Sequence, residues 1–165
     1  MWCKKRHKIV TAILRPVFFL YYALWFGCRI KKQKLPAEGA IVVCNHVTTL
    51  DPVLMGLLFD KPLYYMTSKH VFQNPFVGKL LKFLVNPIPK EKINKSDIAA
   101  IKACMQIARE NGSICIFPEG THQAKYSSLP LSKGIFRIAF QAQEMMPDMP
   151  LYIVPVGIRY GNFFR

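Results

Sequence analysis

Ala40-Ile41-Val42-Val43-Cys44 runs straight into Asn45-His46-Val47-Thr48-Thr49-Leu50-Asp51-Pro52. Five apolar residues in succession, with no polar alternation, predict a short strand buried on both faces. Asp51-Pro52 then opens an apolar run over 53–58, which predicts a helix. Asp stands at a capping position and proline at the first helical position, where its missing N–H costs least. His46 is thereby expected at a strand end and the Asp51 carboxylate at a helix N-terminus. One carboxylate oxygen can accept the imidazole N–H while the other accepts a backbone N–H. That arrangement fixes the tautomer and leaves the lone pair on the far ring nitrogen, available to a proton. Taken alone, the same two residues also read as a helix cap and a hydrogen-bonded loop histidine, so the rest of the chain has to choose between the readings.

Downstream, Asp60-Lys61-Pro62 is a turn and residues 63–67 a second strand. Residues 76–85 place Phe76, Leu80, Phe83 and Leu84 on one helical face with Lys79 and Lys82 beside it. This reads as a core helix, with a basic amphipathic helix against lipid or a wall of an acyl-chain tunnel as the alternative. Asn86-Pro87-Ile88-Pro89-Lys90 reads as a rigid extended segment, too rich in proline for the inside of a sheet. Ser96-Asp97 opens a helix striped by Ile98, Ile101, Met105 and Ala108 and ended by Asn111-Gly112. A third strand over 113–117 follows, then a loop over 118–130. Residues 133–146 form a helix with Ile135, Phe136, Ile138, Ala139 and Ala142 inward, and a fourth strand, interrupted by Pro155, covers 151–156. Strands alternating with helices imply βαβ units, so the fold expected is α/β, a mostly parallel sheet flanked by helices.

Upstream the chain changes character. Residues 9–28 are almost wholly apolar and about 30 Å long if helical, enough to reach across a bilayer. Arg15-Pro16 argues against a plain span: a central arginine costs ~2.5–3.5 kcal/mol in lipid, and the proline kinks the helix. Lys4, Lys5, Arg6, Lys8, Arg15, Arg29, Lys31, Lys32 and Lys34 all precede the first acidic residue, Glu38. Because basic residues lie on both sides, charge asymmetry names no cytoplasmic end. The expectation is a helix lying on an anionic leaflet with Tyr21, Tyr22 and Trp25 as interfacial anchors; a single spanning anchor is the second reading. Leu35-Pro36-Ala37-Glu38-Gly39 marks the boundary, dividing a membrane-associating segment, 1–34, from an α/β domain, 35–165.

Composition agrees with that division. The 165 residues are 52% hydrophobic yet carry 23 Lys and Arg against 9 acidic residues, net +14. Apolar and basic together point to a membrane surface rather than nucleic acid, whose partners need basic residues interleaved with exposed aromatics. Five cysteines without C-x-x-C spacing, three of them (Cys44, Cys104, Cys115) inside apolar runs, read as small core residues in a reducing compartment. His7 and His70 read as ordinary polar positions. The location expected is the cytoplasmic face of an inner or plasma membrane.

Phe117-Pro118-Glu119-Gly120-Thr121 follows the third strand directly, so Glu119 is expected at the carboxyl edge of the sheet, where ligands bind in parallel α/β folds. If the two strands are parallel, His46 leaves at the same edge. Leu131-Ser132-Lys133-Gly134 opens a helix whose N–H groups and cation suit a phosphate.

These blocks resemble the glycerolipid acyltransferases, the lysophosphatidate and lysophospholipid acyltransferases. Asn45-His46 with Asp51 is similar to that family's first motif and 117–121 to its third. Residues 86–90 are similar to the second and 153–156 to the fourth, in the same order along the chain. The resemblance implies transfer of an acyl group from a thioester, acyl-CoA or acyl carrier protein, to a hydroxyl of a lysolipid, with no bound cofactor and no metal. It implies His46 as general base and Asp51 as its orienting acid, Glu119, Gly120 and Thr121 holding the acceptor, and Lys90 and Lys133 neutralising phosphate. An ordinary imidazole, pKa near ~6.5, suits that task. The chain departs from the pattern at His122-Gln123, where the family often has Arg-Ser, and at Lys90, commonly Arg, which directs attention to acceptors other than lysophosphatidate. It also ends at Arg165 just beyond the fourth block, which reads as a fragment or an unusually short member with an open sheet edge. Three other readings are weaker on residues. A serine nucleophile lacks G-x-S-x-G, Cys44 sits inside a strand, and a metal site from Glu119-x-x-His122 lacks a helix to carry it. A non-catalytic lipid-binding protein on the same fold is the remaining alternative.

Overall fold

The computed structural model describes residues 5–27, 29–84, 87–90, 98–121 and 130–160. Cys3, Cys28, Asn86, the Ser96-Asp97 helix start, His122-Gln123 and the side chains of His70 and Ile135 lie outside what it describes. Strand β1 is Ala40–Cys44, the whole apolar run. Parallel neighbours on both sides explain why nothing polar interrupts it. Ala40 to Val43 pair with Ser113 to Ile116 of Ser113–Ile116, and Ala40 to Cys44 with Tyr152 to Val156 of Tyr152–Val156. With β2 (Leu63–Ser68) and β3 (Ile88–Lys90), these two strands, β4 and β5, complete a five-stranded, wholly parallel sheet of order β3-β2-β4-β1-β5.

Side chains alternate across this sheet and fill a core on each face. On one face Ile41, Tyr64, Ile88, Ile114 and Ile116 pack with Cys104 and Ile107 of α4 (Ile98–Arg109) and with Ile138, Ala139 and Ala142 of α5 (Lys133–Glu144). On the other, Val42, Cys44, Leu63, Tyr65 and Cys115 pack with Met55 of α2 (Asp51–Leu58) and with Phe59. Gly39 permits the closest of these approaches, since a Cβ there falls 2.5 Å from the Cα of Ala108. The connections then part company. From β1 the chain passes through α2 on one face to β2, beyond β4; from β4 it passes through α5 on the opposite face to β5, beyond β1. Both connections start from the carboxyl ends of adjacent parallel strands, so the loops after β1 and β4 lie side by side at the edge of the sheet where ligands bind in such folds.

Two proline-bearing segments differ from expectation. Residues 88–90 are a strand rather than merely extended chain, and 152–156 run unbroken through Pro155. Both lie at edges of the sheet, where a missing N–H breaks no ladder on the open side. In α4 the buried face is Ala100, Ile101, Ala103, Cys104, Met105, Ile107 and Ala108, while Ile98 is exposed. Asn111, at φ 56°, takes the left-handed position that ends α4, and the Gly112 N–H donates to the Ile107 carbonyl at 2.8 Å.

Helix α1 (Lys5–Phe26) is 22 residues, long and apolar enough to cross a membrane. One side of it is fastened to the domain along its length. The His7 ring is buried and edge-on to Tyr64 at 5.7 Å, so it is no ordinary polar position. The Arg15 guanidinium donates to the carbonyls of Gly56, Phe59, Asp60 and Lys61 at 2.6–3.2 Å. Gly56 lies in the last turn of α2 and Phe59 is its C-cap, so the arginine caps the helix end and the turn after it instead of facing lipid. Tyr22, expected at an interface, is buried and donates to the Leu50 carbonyl at 2.8 Å. The opposite side exposes Ile9, Ile13, Val17, Leu20 and Leu24, spaced as one helical stripe, with Trp25 beside them. Alongside lies α3 (Pro75–Leu84), whose Phe76, Leu80 and Phe83 are exposed rather than in the core. Arg6 joins the two helices: its guanidinium sits 5.0 Å over the Phe83 ring and donates to the Lys82 carbonyl at 3.0 Å.

Candidate active site

The loop between β1 and α2 folds around one carboxylate. Asp51 is fully buried in the first turn of α2, and the capping position belongs to Leu50, which makes no side-chain cap bond. The carboxylate therefore caps the preceding loop and not the helix. Oδ2 faces His46 Nδ1 at 2.9 Å and accepts the backbone N–H groups of Val47 at 2.6 Å and Thr48 at 2.8 Å. Oδ1 accepts the hydroxyls of Thr48 at 2.9 Å and Tyr160 at 2.7 Å. The expected division, imidazole on one oxygen and backbone on the other, is thus replaced by ring and backbone together on Oδ2 and two hydroxyls on Oδ1.

Charge follows from this count. Burial pushes the Asp51 carboxyl up, but the donors from His46, Thr48 and Tyr160 outweigh it and hold the group below its ordinary range. An ionised carboxylate only accepts, so the proton of a neutral His46 ring belongs on Nδ1 and its lone pair on Nε2. The His46 side chain keeps 17% of its surface exposed, and Phe117 stacks on the ring at 4.2 Å and 23°. Phe117 follows β4 as His46 follows β1, so the neighbouring strands themselves bring the two rings together.

Glu119 arrives from the same side. It is half-buried, its Oε1 is buried and has no hydrogen-bond partner among the described residues, and its charge reaches Cys44 at the end of β1. The Cys44 thiol is pushed up to about 12, by burial first and then by Asp51 and Glu119. It stays a thiol at neutral pH and offers no nucleophile. Gly120 turns the chain at φ +70° with nothing within 4 Å of where a Cβ would sit, and Thr121 beyond it is exposed. The Pro118 carbonyl accepts the Ser132 N–H at 2.8 Å, which ties this turn to the start of α5 and brings exposed Lys133 to the same rim. Lys90 ends β3, opposite Ser68. It shares the carboxyl edge but stands three strands from β1, about 14 Å away at ordinary strand spacing.

Sequence reasoning named His46, Asp51 and Glu119 and missed much of what holds them. Thr48, three residues before Asp51, carries a local signal, since short hydroxyl side chains pair with nearby carboxylates and backbone. Tyr160 carries none: 109 residues separate it from Asp51.

The Acyltransferase family model matches residues 28–159. Curated relatives include the 1-acyl-sn-glycerol-3-phosphate acyltransferase of Bacillus subtilis (strain 168), 30% identical over 110 residues, 66% of this chain and 53% of that protein. The 1-acyl-sn-glycerol-3-phosphate acyltransferase of Cocos nucifera is 33% identical over 128 residues, 75% of this chain and 40% of that protein. The 1-acyl-sn-glycerol-3-phosphate acyltransferase beta of Homo sapiens is 30% identical over 137 residues, 81% and 48%. The chain spans about half the length of the curated relatives it matches.

Proposed function

The chain belongs to the Acyltransferase family, and from that premise we propose that it transfers a fatty acyl group from a thioester, acyl-CoA or acyl carrier protein, to a hydroxyl of a lysophospholipid at a membrane surface. The observation that carries this reading is the 2.9 Å contact of His46 Nδ1 with the buried Asp51 carboxylate, at the carboxyl ends of the adjacent strands β1 and β4. His46 Nε2 takes the proton of the acceptor hydroxyl as its oxygen attacks the thioester carbonyl. The tetrahedral adduct collapses, the C–S bond breaks, and the proton passes from the imidazolium to the leaving thiolate. Asp51 stays ionised and stabilises the imidazolium throughout. The names of the relatives put 1-acylglycerol-3-phosphate first among acceptors to try. The test is mass-spectrometric detection of the diacyl product, with release of free thiol, from acyl-CoA or acyl carrier protein and a panel of lysolipids. No product with any pair overturns the enzyme reading and favours a lipid-binding protein.

Glu119 binds the acceptor's polar end in this scheme, through the Oε1 that has no protein donor among the described residues. Glu119→Gln therefore raises the acceptor KM by about tenfold and leaves the donor KM within twofold. Equal changes in both constants would remove Glu119 from the acceptor site.

Association with the membrane rests on the stripe of α1 and the flanking Phe76, Leu80 and Phe83 of α3. A helix fastened sideways to its domain from His7 to Tyr22 supports a monotopic arrangement better than a span. Leu24 and Trp25 are 77% and 71% exposed. The double variant Leu24→Ser, Trp25→Ser weakens binding to anionic vesicles by roughly tenfold or more, read by co-flotation, because both side chains lose their burial in lipid. Unchanged flotation would place the lipid contact elsewhere.

A further inference from the structure

Beyond β5 the chain stays beside the end of β1. The Asn45 side chain meets the Ile158 backbone twice, Nδ2 donating to the carbonyl at 2.9 Å and Oδ1 accepting the N–H at 2.6 Å. An amide side chain here stands in for one more rung of the β1–β5 ladder, and it steers the chain across the 46–51 loop. Two residues on, Tyr160 places its hydroxyl 2.7 Å from Asp51 Oδ1 and 3.4 Å from Thr48 Oγ1. Its ring leans on Phe26 of α1 at 6.5 Å. Tyr160 lies one residue outside the stretch that the family model matches.

We infer that Tyr160 is a positioning residue for the His46–Asp51 pair, holding the carboxylate oxygen that does not touch the ring. The inference rests on the functional reading above, in which His46 is the base. An isolated carboxylate can rotate about its Cβ–Cγ bond and trade one oxygen for the other. Here the two hydroxyls on Oδ1 and the two backbone groups on Oδ2 fix which oxygen faces the imidazole. Burial above all keeps Tyr160 protonated, and so a donor, far above neutral pH. Withdrawing that donor returns electron density to the carboxylate, which then holds an imidazolium more strongly. Among the described residues, the other titratable groups around the pair are the thiols of Cys44 from β1 and Cys115 from β4, which feel the Asp51 charge, Glu119, which acts on Cys44, and Tyr22 of α1, which acts on Tyr160. Tyr160→Phe leaves both thiols and Glu119 in place and removes only the hydroxyl that Asp51, Thr48 and Tyr22 meet.

The test uses the full chain in nanodiscs, wild type against Tyr160→Phe, Tyr160→Leu and His46→Ala. Tyr160→Phe keeps the contact with Phe26, and its expected result is a loss of about fivefold in kcat with acceptor KM unchanged. The acid limb of its kcat/KM profile moves up by about half a pH unit. The His46 ring, followed by NMR in histidine-labelled protein, titrates higher by the same amount, a readout that needs no turnover. Tyr160→Leu shows the same displacement together with a lower Tm. If Tyr160→Phe leaves the acid limb and the ring titration where they were, the inference fails, whatever happens to the rate. A loss confined to Tyr160→Leu assigns the residue to packing and also overturns it. Full activity in His46→Ala overturns the functional reading itself, and the NMR titration then still reports whether the hydroxyl tunes the pair.

Discussion

His46→Ala reduces acyl transfer roughly a thousandfold, measured as thiol release at saturating donor and acceptor, while the protein remains folded and bound to vesicles. The size follows from the task. Without a base at this site, the acceptor hydroxyl must attack with its proton still attached or surrender it to water, and neither Cys44 nor Asp51 can substitute. The thiol is held protonated and the carboxylate is buried behind the ring. The fold survives for an equally local reason. Asp51 keeps the Val47 and Thr48 N–H groups and the hydroxyls of Thr48 and Tyr160 when the imidazole is gone. The stacked Phe117 ring loses one face of contact, worth on the order of 1 kcal/mol, so Tm falls by a few degrees at most. Activity within tenfold of wild type would remove His46 as the base. A large fall in Tm would mean that lost structure, not lost chemistry, accounts for the lost rate.

How much of this could be read from the chain depends on how local each cause is. The strand at 40–44 and the end of α4 at Asn111-Gly112 were legible because buried parallel strands demand unbroken apolar runs, and a left-handed residue ends a helix. The convergence of the loops after β1 and β4 was legible once both strands were read as parallel, since that edge is where such sheets open. Proline kept 88–90 rightly out of the sheet's interior, but Pro89 and Pro155 hid that edge strands run through them, because proline's cost depends on strand order, which no local window contains. The stripe of α3 has the same spacing whether its partner is a core or a lipid surface, so periodicity alone could not say which way Phe76 and Phe83 face. Arg15 looked like an expense in lipid because sequence does not disclose that four carbonyls, in the last turn of α2 and the turn after it, wait for it. The hydrogen bonds from Thr48 and Tyr160 complete the carboxylate's shell, and only the first has a partner within reach along the chain.

Asp51→Asn separates the two roles that one carboxylate plays. An amide presents one oxygen and one NH2, and the environment decides how it must sit. The backbone N–H groups of Val47 and Thr48 cannot turn into acceptors, so the amide oxygen has to take the place of Oδ2. Nδ2 then faces the two hydroxyls, which can rotate and accept. The hydrogen-bond count survives with rearranged directions, and the stability lost is moderate, about 1–3 kcal/mol. Chemistry fares worse, because a neutral amide cannot stabilise the imidazolium that forms as the acceptor loses its proton. Turnover falls about 10²-fold, less than in His46→Ala, because the amide oxygen keeps the ring proton on Nδ1 and only the stabilising charge is lost. The pH dependence of folding carries the sign of the same group. The folded carboxyl is held below its ordinary value of 3.8, so its contribution is complete at neutral pH. That contribution is lost as pH falls from near 4 through the folded value, where the native state must give up an ionised group that the unfolded chain has already protonated. Thermal melts of the nanodisc-bound protein from pH 7 down to pH 3 should show wild-type Tm dropping more steeply below pH 4 than that of Asp51→Asn, the two curves converging as acid removes the difference. Parallel curves over that range would mean that the buried carboxylate is not ionised in the folded protein, and the orientation of the His46 proton would lose its cause.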